Sequence, residues 1–252
     1  KIKWNLLKNA LINFNENVIV FGTPQLTLDN GSVANYTSGS GSSILTFTYT
    51  IGAGQTSNDL DYQSTNALTL NGGNISDSAG NAANLVLSSP GSANSLGANK
   101  AIIVDTTSPS VLNVNSSTVD GNYKSGQTVS VQINFSENVT VTGTPVLTLE
   151  TGATDAIVNY SSGSGTSTLS FVYTIGAGHT SPDLDYVSNS ALALSGGTIN
   201  DSAGNASNLT LPTPGNTDSL GANRAIVIDT TSPTVTSVNS STANGTYKSG
   251  DI

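Results

Sequence analysis

Sixteen Asp and Glu against seven Lys and Arg give this 252-residue chain a net charge of −9, and most of the acids stand at positions that occur twice. Asp77 and Asp201 each open the segment DSAGN. Glu16 and Glu137 sit two residues beyond a phenylalanine in NFNEN and NFSEN, and Asp105 and Asp229 each precede TTSP. Carboxylates joined by amide carbonyls are hard oxygen donors, which Ca2+ takes about six to eight at a time. The sequence DLDY adds two D-x-D pairs, Asp59 with Asp61 and Asp183 with Asp185. Two acids on one strand face repel unless a donor or a cation lies between them. A solvated loop or turn-capping role is the reading these pairs favour, with Tyr62 and Tyr186 at the edge of a core.

Other chemistries fail on inventory. There is no Cys, so neither a disulfide framework nor a thiolate metal site is available. The single histidine, His179, is answered by Gln55 in the other copy of its segment, so a triad built on it would be missing there; it reads as a loop residue. One Trp and 6% aromatics are poor material for the sugar-binding cleft that a carboxylate pair needs for glycoside hydrolysis. IGAG follows a strand pattern without a lysine behind it, which is not a phosphate loop. The expectation is a protein that is not an enzyme. Its negative charge also argues against nucleic acid and anionic membrane surfaces as partners.

The elements that must position the acids are themselves duplicated. The stretch from Ser38 through DSAGN returns from Ser162 with a shift of 124 residues, and tandem copies of that length are modules. Leu45, Phe47, Tyr49 and Ile51 alternate with threonines, and Leu169, Phe171, Tyr173 and Ile175 repeat the pattern. Val129, Val131, Ile133 and Phe135 form a further run, while Leu26 with Leu28 answers Leu147 with Leu149. A period of two marks strands with one buried face. Gly-Asn punctuation between short runs predicts an all-β protein of tandem antiparallel β-sandwiches. The copies differ in length only where DNGSVANY becomes ETGATDAIVNY, which predicts a hairpin tip.

The boundaries fall at AIIVDTTSPSV and AIVIDTTSPTV. They divide the chain into a first module, 1–105, a second, 106–229, and a segment 230–252 that begins a third or serves as a donor strand. The short Pro-containing linkers limit bending and predict a semi-rigid rod. Aligned copies match Lys1 with Asn122, so the first module lacks the equivalents of Thr106 to Gly121, which residues 230–245 reproduce. Residues 1–11 diverge, with Trp4, Leu6 and Leu7 in place of small polar groups, and read either as a divergent copy or as the end of another module. With no Met the chain is expected to come from a longer parent. No apolar run is long enough to span a bilayer.

The DTTSP junction, NFSEN, TGTPVLTLE, TYTIGAG, DSAGN and SLGANKAIIVD, taken in order, resemble the bacterial immunoglobulin-like tandem repeats of large extracellular adhesins. The resemblance implies immunoglobulin-like sandwiches in a fibrous stalk at the cell surface, often stiffened by Ca2+ at module junctions. In that topology the entering linker, the loop after the second strand and the last hairpin turn meet at one end. Asp105, Glu137 and Asp201 would then come together, with Asn205 as a carbonyl donor. Glu16, Asp77 and Asp229 are the copies of these acids at the other junctions. Two readings stand side by side: a Ca2+ site, or an aspartate that caps its own turn beside a solvated glutamate.

The expected function is a non-catalytic spacer, the shaft of an extracellular adhesin or surface fibre. Neighbouring copies arranged head to tail are its partners, either in one covalent array or by strand exchange through 230–252. Two rivals are a sandwich that binds glycan or another surface through exposed Thr and Asn rows, and an accessory domain of an extracellular hydrolase.

Overall fold

The computed structural model describes residues 7–250. The fold is β-sandwich-like and nearly all β, and it is built twice. The first half contains β1 (Leu7–Phe21), β2 (Gln25–Thr27), β3 (Val33–Ser38), β4 (Ser42–Thr50), β5 (Leu68–Thr69), β6 (Asn74–Ser76) and the single helical turn α1 (Leu96–Asn99). The second half begins with β7 (Val111–Ser116) and β8 (Gly121–Tyr123), then repeats the series as β9 (Thr128–Thr142), β10 (Val146–Leu149), β11 (Ala156–Ser162), β12 (Thr166–Thr174), β13 (Thr180–Ser181), β14 (Leu192–Ala193), β15 (Thr198–Asn200), α2 (Leu220–Asn223) and β16 (Ile226–Asp229). The strand orders correspond: β5-β2-β3-β4-β1-β6 in the first half and β14-β10-β11-β12-β9-β15 in the second, where β7 also lies along β9.

The period-two runs become the paired strands at the centre. Leu169, Phe171 and Tyr173 of β12 point inward opposite Ile133, Val131 and Val129 of β9, and the intervening polar residues face out, as a half-buried antiparallel pair requires. β1 and β4 repeat the register: Leu7 stands opposite Thr50 as Thr128 stands opposite Thr174. The divergent residues 7–11 therefore keep the same place in the sheet, while residues 1–6 lie outside the described range. Each half closes around its own apolar cluster, the first running from Val18 to Val104 and the second from Val114 to Ile228. The three extra residues fall in the β10–β11 hairpin, between Leu149 and Ala156.

The sequence pattern puts the end of a strand at Phe14 and Phe135. The strand instead continues. β9 pairs with β12 through Asn134, shifts register, meets β12 once more at Val139 opposite Thr166, and pairs with β15 from Thr140 to Thr142. β1 does the same between β4 and β6, with its shift between Asn13 and Val18. A register shift bends and twists a strand, so NFSEN is the elbow by which one long strand serves two sheet segments. Its far end is tightly packed: a side chain on Gly197 would come within 2.1 Å of the Thr142 carbonyl, and one on Gly73 within 2.2 Å of that of Phe21. Only glycine fits there. The two halves differ at their last segment, where Val104 makes only an isolated bridge with Ser57 while β16 is a full strand. No helix among the described residues is long and apolar enough to cross a membrane.

Phe171 is fully enclosed, with its ring 6.1 Å from that of Tyr160 in an edge-to-face arrangement. Phe171→Ala is expected to lower the stability of the second half by about 3–5 kcal/mol, measured by urea denaturation. A loss below about 1 kcal/mol would contradict this packing.

Candidate cation site at the Asp105 junction

The turn that carries Asp201 is closed by its own residues. Asp201 Oδ1 accepts the Asn205 N–H at 2.8 Å, Oδ2 accepts the Asn205 side-chain amide at 2.6 Å, and the Asp201 N–H returns a bond to the Asn205 carbonyl at 3.1 Å. Gly204 supplies the positive φ, +94°, that the reversal needs. The turn-capping role expected for this aspartate is therefore present in full, and both residues are buried. Asp77 and Asn81 form the same turn in the first half, and Asn81 holds the Asp77 carboxyl below its ordinary value.

The linker reaches this turn held from both sides. The Thr106 hydroxyl donates to the Gln55 carbonyl at 3.1 Å and accepts the Gly54 N–H at 3.0 Å. Toward the second half, the Asn205 side-chain amide donates to the Asp105 carbonyl at 3.1 Å, and the Asn208 N–H donates to the Pro109 carbonyl at 2.7 Å. Asn205 thus meets the linker and Asp201 through its amide nitrogen. Thr230 repeats the clamp at the second boundary, bonding the His179 carbonyl and the Gly178 N–H. Nothing in the residue types alone singles out these threonines, although TTSP occurs at both boundaries.

Asp105 arrives on the linker, Glu137 stands at the elbow of β9, and Asp201 sits on the turn after β15. The three offer carboxylate oxygens that all lie within 4.8 Å of one another, with Asp201 buried and the other two half-buried. Burial raises the Glu137 carboxyl above its ordinary value, and the charges of Asp105 and Asp201 add to the rise. Carboxylates this close repel unless protonated or bridged by a cation. Oxygen donors on three elements, joined by a tethered backbone, make an arrangement that suits a hard divalent ion. Glu16 and Asp229 are exposed and Asp77 half-buried, and among the described residues these copies join no such group of three.

The sequence favours a solvated-loop or turn-capping role for the D-x-D pairs; the first acid of each pair, Asp59 or Asp183, is exposed, while the second departs from a solvated loop and caps backbone N–H groups in the interior. Asp61 and Asp185 are buried. Asp61 Oδ1 accepts the N–H groups of Tyr62 at 2.9 Å and Leu96 at 3.1 Å, and Oδ2 accepts that of Gly91 at 3.0 Å. Asp185 takes the N–H groups of Tyr186 and Gly215, each at 2.9 Å. These acids staple the long loop ahead of the last strand to the core. The signal was DLDY and SLGAN recurring together, since a side chain on Gly97 or Gly221 would press on both acids of its pair. Tyr62 and Tyr186 are core residues, with hydroxyls donating to the carbonyls of Ser88 and Pro212. His179 stacks on Tyr173 and contacts its hydroxyl through Nδ1 at 2.7 Å. Gln55 Oε1 does the same for Tyr49 at 2.7 Å, so the histidine fills a structural place that glutamine also fills.

No known protein family, curated protein or solved structure matches the chain.

Burial raises the Asp61 carboxyl, but the bonds from Gly91, Ser95, Tyr62 and Gly97 outweigh it and leave the group below its ordinary value. A lowered folded value stabilises above the unfolded pKa, and this stability is lost as pH falls through the folded value. Asp61→Asn is expected to cost the first half about 1.5–3 kcal/mol at pH 7, with the difference from wild type narrowing as pH drops below about 4. Urea titrations at pH 7 and pH 3 measure both. An equal deficit at the two values would overturn the assignment.

Proposed function

We propose that the chain is a non-catalytic structural spacer, tandem immunoglobulin-like sandwiches of an extracellular adhesin shaft or surface fibre, whose junctions are stiffened by Ca2+. The observation that carries this reading is the junction itself. A carboxylate on the linker meets two carboxylates of the next half, while the Thr106 hydroxyl clamps the same linker to the half before it and the Asn205 amide ties it to the half after. Repetition of the sandwich, the clamp and the boundary sequence supports a unit made for stacking rather than for turnover. The bacterial cell surface follows from the resemblance of the boundary and turn motifs.

Bridging by Ca2+ would remove the repulsion that adds to the effect of burial on Glu137, and the linker and the Asp201 turn would then share one ion. At a free concentration ten times the dissociation constant, binding adds about 1.4 kcal/mol, so the ion fixes an angle more than it creates the fold. Extracellular sites of this class bind in the range of about 0.1–1 mM.

With Ca2+ at about 10 mM the second half is expected to melt roughly 4–6 °C higher than with chelator, and small-angle scattering is expected to narrow the distribution of maximum dimension. Asp201→Asn abolishes both responses. Glu137→Gln abolishes them too, yet raises the melting temperature in chelator: a folded value above the ordinary one means that the ionised Glu137 costs stability, a cost relieved as pH falls or the charge is removed. Identical melting and scattering of the wild type with and without Ca2+ would remove the cation from the proposal.

A further inference from the structure

The two halves differ most along one edge. In the second half β9 is flanked by β12 on one side and by β7 on the other, with Val111 opposite Phe135, Val114 opposite Ile133 and Ser116 opposite Val131. In the first half β1 pairs with β4 over Leu7 to Asn13, and among the described residues no strand lies on its other side there. The consequence shows in burial. Val131, Ile133, Phe135, Leu220 and Ile226 are buried, whereas their counterparts Ala10, Ile12, Phe14, Leu96 and Ile102 are only partly so. An open edge with a half-covered apolar row is a template for strand addition.

The chain also carries the strand that fits it. Residues 230–250 differ from 106–126 at only six of 21 positions, and they include a copy of β7. Val114 has no exposure in the second half, while its copy Val238 is 93% exposed, and Val235 is 85% exposed. Thr231 to Gly250 are exposed throughout and form no strand. The bonds that β7 makes have counterparts waiting as well. Asn223 donates its side-chain amide to the Val114 carbonyl at 2.8 Å, but Asn99, its first-half copy, turns to the Ser95 carbonyl instead.

We infer that residues 234–240 of one copy pair antiparallel with residues 10–14 of β1 in a second copy, so that the chain assembles head to tail. The register follows from β7 on β9: Val235 opposite Phe14, Val238 opposite Ile12 and Ser240 opposite Ala10. Residues 245–247 then run beside Ile102 to Val104 as β8 runs parallel to β16. Val238 enters the gap over Ile12. Further units joined in one covalent array would satisfy the edge by the same pairing. The inference does not depend on the cation, because its contacts are backbone ladder and apolar burial.

The test is analytical ultracentrifugation of the full chain in chelator over a wide concentration range. Assemblies at multiples of the chain mass are expected, growing with concentration. Val238→Asp places a charge in the apolar gap and is expected to weaken association by more than about tenfold; since Val238 is exposed in the single copy, its fold is untouched. The chain has no cysteine, so the double variant Ala10→Cys with Ser240→Cys reads the register directly. It is expected to give an intermolecular disulfide ladder on a non-reducing gel, at least about tenfold stronger than Ala10→Cys with Ser241→Cys, whose side chains face opposite sides of the pleat. A monomer at every concentration, cross-links only within one copy, or equal ladders from the two cysteine pairs would each overturn the inference. Loss of the Ca2+ response with the ladder intact would instead strike only the junction.

Discussion

One strand in each half has to satisfy two sheet segments, and this constraint organises the rest. β9 contributes Val129, Val131, Ile133 and Phe135 to the core, then bends at Ser136 to Asn138 and goes on to pair with β15. A strand that long cannot follow one ladder through a twisted sheet without losing register, and the elbow absorbs the difference. The elbow fixes where the DSAGN turn lies, because β15 leads directly into it. Glu137 lies on the elbow itself, in the phase of Phe135 and Val139 and beside the linker carboxylate of Asp105. The position of the acids is thus a by-product of how the core closes.

Most of this architecture was legible because strand alternation is a local signal. Leu45, Phe47 and Tyr49 declare an inward face with no help from the rest of the chain, and the three-residue insertion marked the β10–β11 hairpin correctly. What was not legible depends on long-range pairing. The continuation of the strand past Phe135 is set by its second partner, β15, some 60 residues later in the chain. The burial of Asp61 depends on N–H groups from Gly91 and Leu96, which no local pattern brings to it. Asp61 looks solvated in sequence because the donors that offset its burial are remote. The assembly of Asp105, Glu137 and Asp201 could be anticipated only through an assumed topology, since the residues come from three separate segments.

Two opposed sources of force act on the junction. Backbone, amide and hydroxyl bonds through Thr106, Asp105 and Pro109 tie the linker to both halves. The carboxylates act in the opposite sense, because Asp105, Glu137 and Asp201 repel one another across the junction when ionised. In a junction where neutral bonds attract and like charges repel, geometry is set by the balance of the two more than by either alone. Asn205 couples the two sources, since one side-chain amide bonds both the Asp201 carboxylate and the Asp105 carbonyl.

The same logic separates the two ends of the chain. Val114 and its neighbours seal the second half along β9, whereas among the described residues Ala10, Ile12 and Phe14 are half-covered on a strand of the same register. A core of this size depends on every strand, for the apolar area left in water is stabilisation forgone, in proportion to that area. Covering this row and bonding the ladder edge act together. A segment that supplies both, such as 234–240, gains the apolar contact only when it also finds the backbone register. That coupling makes an open edge selective: the sequence best able to close it is the one already closing it in the neighbouring half.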